Sequence, residues 1–126
     1  PRVLLTTDVN TTSIRSVHFT LRIGSKSVTS SCPPPDSLLE IVLLEATCHG
    51  GVNWTLLEEF SPLHFQQPRS TTVTLPQSAR GPVCQLRWRQ PQHSGHGRDV
   101  WAIDDIHLSP DGSTNWLEVE MMDMPD

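Results

Sequence analysis

Lysine is almost absent from this chain: Lys26 is the only one among nine basic residues, against 14 acidic ones, and the net charge is −5. Nucleic-acid binding needs a clustered basic surface that releases counterions from phosphates, so that class is excluded. No apolar run approaches the roughly 18 residues that span a bilayer, and the first residues lack the basic-then-apolar plan of a signal peptide. The signal of a secreted protein is therefore expected outside this sequence. Sustained helical periodicity is missing as well, which points away from helix bundles and α/β folds. There is no Gly-x-Ser-x-Gly elbow and no Cys-x-x-Cys pair, and of six histidines only His93 and His96 lie close together. Structural zinc needs four ligands and catalytic zinc three with a water, so neither zinc nor hydrolysis is expected, and His93-Ser94-Gly95-His96-Gly97 reads as a solvated turn. The chain is read as no enzyme.

Only three cysteines are present, Cys32, Cys48 and Cys84. They permit one disulfide and leave one thiol over. Cys32 and Cys48 bracket the apolar run Leu38 to Leu44, and about ten extended residues span over 30 Å, so that pair closes only if the chain turns back. The expectation is Cys48 with Cys84, with Cys32 bonded outside this segment or held as a buried thiol. Asn10-Thr11-Thr12 and Asn53-Trp54-Thr55 match the N-glycosylation acceptor pattern, and both asparagines are expected to face solvent. Together these features predict an extracellular, secreted glycoprotein.

At 126 residues and 36% hydrophobic, the chain is long enough for one domain with a real core. Val17, Phe19, Leu21 and Ile23 alternate with Ser16, His18, Thr20 and Arg22, which predicts a half-buried strand over 14–23 ended by Gly24. Ser25 to Ser37, with Pro33-Pro34-Pro35, reads as a loop. Leu38 to Thr47 reads as a buried strand joined through Cys48-His49-Gly50-Gly51 to a strand carrying Val52, Trp54 and Leu56, hence a hairpin. A connection with a helical turn over 60–69, a strand over 71–75, and a strand with Cys84, Leu86 and Trp88 facing one way follow. About seven strands with turn signals between them predict an all-β fold, an antiparallel two-sheet β-sandwich or jelly roll. Residues 1–110 are expected to form it, with 111–126 an acidic tail or junction holding one further strand around Trp116 to Val119.

The period of a strand puts Val100, Ala102, Asp104, Ile106 and Leu108 on one face, so Asp104 is expected among apolar side chains. A buried carboxylate needs a cation, an arginine or several N–H donors. By the same parity Trp54 and Trp88 belong to the core, Trp101 lies opposite Asp104, and Arg87 and Arg89 face solvent.

The order of these pieces resembles the reelin subrepeat, the jelly-roll half that flanks the EGF-like module of a reelin repeat. The resemblance rests on Val17-His18-Phe19-Thr20-Leu21-Arg22-Ile23-Gly24, on the hairpin from Ile41 through Gly50-Gly51-Val52-Asn53-Trp54 to Leu57, on Thr74-Leu75-Pro76, on Leu86-Arg87-Trp88-Arg89-Gln90-Pro91, and on Trp101-Ala102-Ile103-Asp104-Asp105-Ile106. Arg89 stands where members usually carry a second aromatic, and Ala46-Thr47-Cys48-His49 replaces small polar residues before the Gly-Gly turn. What the resemblance implies is a non-catalytic module of a larger extracellular or matrix protein, serving protein binding, signalling or spacing. It also implies a structural calcium ion, with Asp8, Asp104 and Asp105 as its metal ligands by position and backbone carbonyls or Glu45 in support. Reelin-type proteins bind lipoprotein-family receptors that capture lysines, and a module with Lys26 alone is poorly equipped for that contact. The competing class is a carbohydrate-binding jelly roll, which requires an exposed strip of Trp101 and Trp116 and affinity for a glycan.

Overall fold

A computed structural model describes residues 2–24, 41–91, 101–110, 117–118 and 121–124. Nine strands lie within them: β1 (Arg2–Thr6), β2 (Ile14–Ile23), β3 (Val42–Thr47), β4 (Thr55–Phe60), β5 (Arg69–Thr74), β6 (Gln85–Gln90), β7 (Trp101–Pro110), β8 (Leu117–Glu118) and β9 (Met121–Met124). All pairings are antiparallel, in a five-stranded sheet ordered β4-β3-β6-β1-β9 and a four-stranded sheet ordered β5-β2-β7-β8. This is the expected two-sheet sandwich. Residues 117–124 add a strand to each sheet, so the pairing extends past 110. The expectations for Ser25 to Ser37, Cys32, the His93–His96 turn and Trp116 lie outside the described residues.

The core follows from alternation. Val17, Phe19, Leu21 and Ile23 of β2 face Val42, Leu44 and Ala46 of β3 and Leu86 and Trp88 of β6, all of them buried. Phe19 meets Trp88 edge-on at 5.2 Å between ring centroids and Phe60 at 5.6 Å, and Phe60 meets Phe65 at 5.5 Å. Edge-to-face contacts of this kind add about 0.5–1.5 kcal/mol each beyond burial. They tie the two sheets to each other and to the short 3-10 turn Pro62–His64, whose Ser61 hydroxyl caps Leu63 N.

One end of the sandwich is closed by hydrogen bonds and a disulfide. Thr11 is fully buried although it follows an exposed asparagine. Its hydroxyl donates to Ala79 O at 2.8 Å and accepts from Gly81 N at 3.0 Å, lacing the β1–β2 connection to the β5–β6 connection. Beside it, Val9 and Cys84 exchange backbone hydrogen bonds at 2.7 and 2.9 Å, and Cys84 is bonded to Cys48. A side chain at Gly81 would crowd that bridge, since its Cβ would stand 3.3 Å from Cys84 Sγ.

The parity expected along β7 does not hold. Val17, Leu21 and Ile23 of β2 pair with Leu108, Ile103 and Trp101, while His18 and Thr20 pair with His107 and Asp104; the register slips between His18 and Thr20. Two residues, Asp105 and Ile106, thus oppose Phe19 alone, a β-bulge, and Asp105 sits at φ 53°. Before the bulge Trp101 and Ile103 face the core; after it Ile106 and Leu108 do. Asp104 therefore faces solvent with Ala102, not the apolar interior as the unbroken period predicts.

The left-handed conformation costs most residues about 1–2 kcal/mol, and aspartate tolerates it better than branched side chains. Asp105→Gly should leave stability unchanged or raise it, whereas Asp105→Val should lower it by about 1–2 kcal/mol, read from denaturant midpoints. Thr11→Val keeps the shape but leaves Ala79 O and Gly81 N without their buried partner; the same measurement should show a loss of about 1–3 kcal/mol.

Candidate interaction face

On β3 the side chains of Leu43, Glu45 and Thr47 point away from the core, and on β6 so do those of Gln85, Arg87 and Arg89. The register sets Glu45 opposite Arg87 and Leu43 opposite Arg89. Glu45 Oε1 accepts from Arg87 Nε at 2.7 Å and from Arg89 Nε at 3.0 Å, and Arg89 Nη2 reaches Oε2 at 3.2 Å. Glu45 is buried, only 7% exposed, although it lies on an outer face. Two arginines and their stems cover it.

Trp54 completes the cluster. Gly50 and Gly51 take φ of 65° and 83°, which delays the start of β4 to Thr55 and turns the loop back over the sheet. Trp54 Nε1 donates to Gly51 O at 3.2 Å, and the Arg87 guanidinium lies 3.9 Å from the indole centroid, a cation–π contact. Trp54 is thus not a core residue as alternation predicts, while Trp88 is wholly buried. Arg87 and Arg89 are likewise not a freely solvated face: they share one carboxylate. Burial acts to raise the Glu45 carboxyl, but hydrogen bonds from Arg89 and Arg87 and their charges outweigh it and hold it below the usual range. The Arg89 guanidinium is raised by the hydrogen bond to Glu45. Around this centre stand half-buried Leu43, Val3 and Leu5 and, on β4, Leu56 at 48% exposure.

The outer face of the four-stranded sheet differs in kind. It presents Ser16, His18, Thr20, Ser70, Thr72, Asp104 and His107, with His18 Nδ1 and Thr72 Oγ1 2.8 Å apart. Burial, and then the charge of His107, lowers His18. Asp104 and Asp105 are exposed here, and Asp105 N donates to Asp104 Oδ1 at 2.8 Å. Asp8 is exposed beside the disulfide-closed end, next to Val9. Six residue steps along β7 take Asp104 to Pro110 at that end, about 20 Å of strand, so Asp8 and Asp104 do not meet. Among the described residues no three His, Cys, Asp or Glu side chains converge as metal ligands. Asp104 and Asp105 alone fall short of the six to eight oxygens that calcium takes, and Glu45 is held by arginines.

The glutamate cluster was hidden because parity turns Arg87 and Arg89 outward but does not give the register that sets Glu45 between them. The bridge joins Cys48 to Cys84, the pair expected from the sequence. Asn10 and Asn53 are both exposed, and Asn10 Oδ1 accepts from Thr12 N at 3.0 Å.

Because the Glu45 carboxyl is lowered in the folded state, its contribution is fully present above the ordinary carboxylate value and is lost as pH falls through the lowered one. Glu45→Gln should cost about 1–3 kcal/mol at pH 7, discounted for the partly exposed arginines, and the difference from the parent should close in acid. Urea midpoints between pH 7 and pH 2 measure it. Asp104→Ala should change stability by no more than a surface substitution does, about 0.5 kcal/mol, with calcium or with chelator, as read from thermal unfolding.

A family model of reelin subrepeat B matches residues 1–109. The match takes in every strand from β1 to all but the last residue of β7, including the Gly50-Gly51 turn, the Arg87-Trp88-Arg89 strand and the bulged β7. The chain belongs to the reelin subrepeat B family.

Proposed function

We propose that this domain is a non-catalytic extracellular module of a larger reelin-like protein, and that it docks an adjoining module of that protein on the outer face of the five-stranded sheet. The observation that carries the reading is the composition of that face. Arg87 and Arg89 sit at its centre, Trp54 reaches Arg87 from the bridge-end loop, and Val3, Leu5, Leu43 and Leu56 expose apolar surface around them. Tryptophan and arginine are the residues that dominate interface energetics, and aliphatic rims exclude water around them. The opposite face offers hydroxyls and imidazoles, which water satisfies equally well. The disulfide Cys48–Cys84 suits an oxidising compartment, in keeping with an extracellular family.

The carbohydrate-binding alternative needs coplanar, exposed aromatics. Trp101 packs against the core and Trp54 is covered by Arg87, so neither supplies a stacking platform, and Trp116 lies outside the described residues. Calcium enters as a proposal from the family resemblance alone; the midpoint with calcium against chelator decides it.

Leu56→Glu adds charge to a half-exposed edge position and should leave the fold intact while weakening association with the adjoining module about 10- to 100-fold, measured by sedimentation or calorimetry. Thr72→Glu on the other face should change nothing. A loss with Thr72→Glu and none with Leu56→Glu would place the docking face on the wrong sheet.

A further inference from the structure

The register of the five-stranded sheet gives this sandwich two unlike ends. Thr6 pairs with Met121 near the Cys48–Cys84 bridge, whereas Val3 pairs with Met124 and Arg2 with Gln90 at the other end. Chain joining the domain on either side of residues 2–124 therefore meets it at one end, away from the bridge.

Both acceptor asparagines lie at the bridge end. Asn10 sits between Val9, paired with Cys84, and Thr11, whose N–H donates to Gly81 O at 2.8 Å. Asn53 is in the loop that leaves Cys48, one residue from the Trp54 that stacks on Arg87. Each side chain is exposed. This end also displays Val52, 78% exposed beside Asn53, and Val83, 57% exposed beside Cys84. These are single exposed apolar side chains, ordinary on a surface, and a bulky polar group attached nearby would shield them.

We infer that Asn10 and Asn53 both carry N-linked oligosaccharide, and that the two sugars cap the disulfide-closed end as the free, solvent-facing end of a module mounted by its opposite end. In the attachment, the Asn Nδ2 attacks the anomeric carbon of a lipid-diphosphate-linked oligosaccharide. The C–N bond replaces the anomeric C–O bond, the lipid diphosphate leaves with the electron pair, and one amide proton passes to base. Asn53 sugar would lie over Val52 and keep this end out of protein contacts, which leaves the sheet face as the place where neighbours dock.

The inference rests on the extracellular reading, and the test separates the two. The full chain is expressed in secreting mammalian cells with an extra acceptor tripeptide on a C-terminal tag, and intact masses are taken for the parent, Thr12→Ala and Thr55→Ala. These variants remove the acceptor hydroxyl but keep both asparagines, including the Asn10 turn. The expected result is three oligosaccharides on the parent and two on each variant, with the sugars at Asn10 and Asn53 removed by amidase from the undenatured protein. Tag sugar without sugar at Asn10 or Asn53 overturns the inference. So does sugar that resists the amidase until the protein is denatured, since that end would then be covered. A secretion signal is supplied for this expression, so tag sugar marks entry into the secretory pathway; a chain that enters it but is retained in the cell, without the Cys48–Cys84 bond formed, would instead overturn the extracellular reading.

Discussion

The contact of Phe19 with Trp88 is the point on which the rest of this domain depends. Phe19 projects from the middle of β2 and Trp88 from the middle of β6, and their edge-on packing, extended through Phe60 to Phe65, is where one sheet grips the other. With the sheets fixed there, inward positions are committed to apolar side chains, and everything chemically distinctive is pushed to the outer faces and the ends. The bulge on β7 sits opposite Phe19 itself. The strand gains a residue where the large ring fills the interior, and its later half still returns Ile106 and Leu108 to the core.

The two outer faces then diverge. On the five-stranded sheet, a glutamate is shared by two arginines, one of them stacked on a tryptophan, so charge is present but already engaged, and the surrounding aliphatic surface is left to be covered. Among the described residues nothing comparable is seen on the four-stranded sheet, where Ser16, His18 and Thr72 bond to one another. A module that meets neighbours on one side only needs such an asymmetry, because two equally apolar faces would favour indiscriminate stacking.

Much of this was legible in the residues. The alternation of Val17 to Ile23 predicts β2 to the residue, the Gly50-Gly51 turn predicts the β3–β4 hairpin, and the Leu86-Trp88 parity predicts the inward side of β6. What failed did so for physical reasons. Period-two reading assumes an uninterrupted pleat, and a single inserted residue at Asp105 reverses it, which is why Asp104 was placed in the core and Trp101 outside it. Trp54 continued an apparent alternation, but two glycines at positive φ had taken it off the strand. Arg87 and Arg89 had outward parity, but Glu45 lay in a run read as buried, and their meeting depends on cross-strand register, which neither strand encodes alone. The strands β1 and β9 were missed because Val3-Leu4-Leu5 and Met121-Met122-Asp123-Met124 are short and lack a polar face to alternate with.

The position of β1 carries a consequence for how the domain is made. It is an interior strand, hydrogen-bonded on one side to β6 and on the other to β9, so its partners lie roughly 80 and 120 residues further along the chain. Closing such distant pairings is slow, since loop entropy must be overcome before any contact is gained. At ribosomal speeds the first residues wait many seconds with unsatisfied backbone and three apolar side chains in a row. Of the strands of this sandwich, β1 is made before its partners and is among the last to be locked, and the interval is one in which a chaperone or a neighbouring module has something to hold.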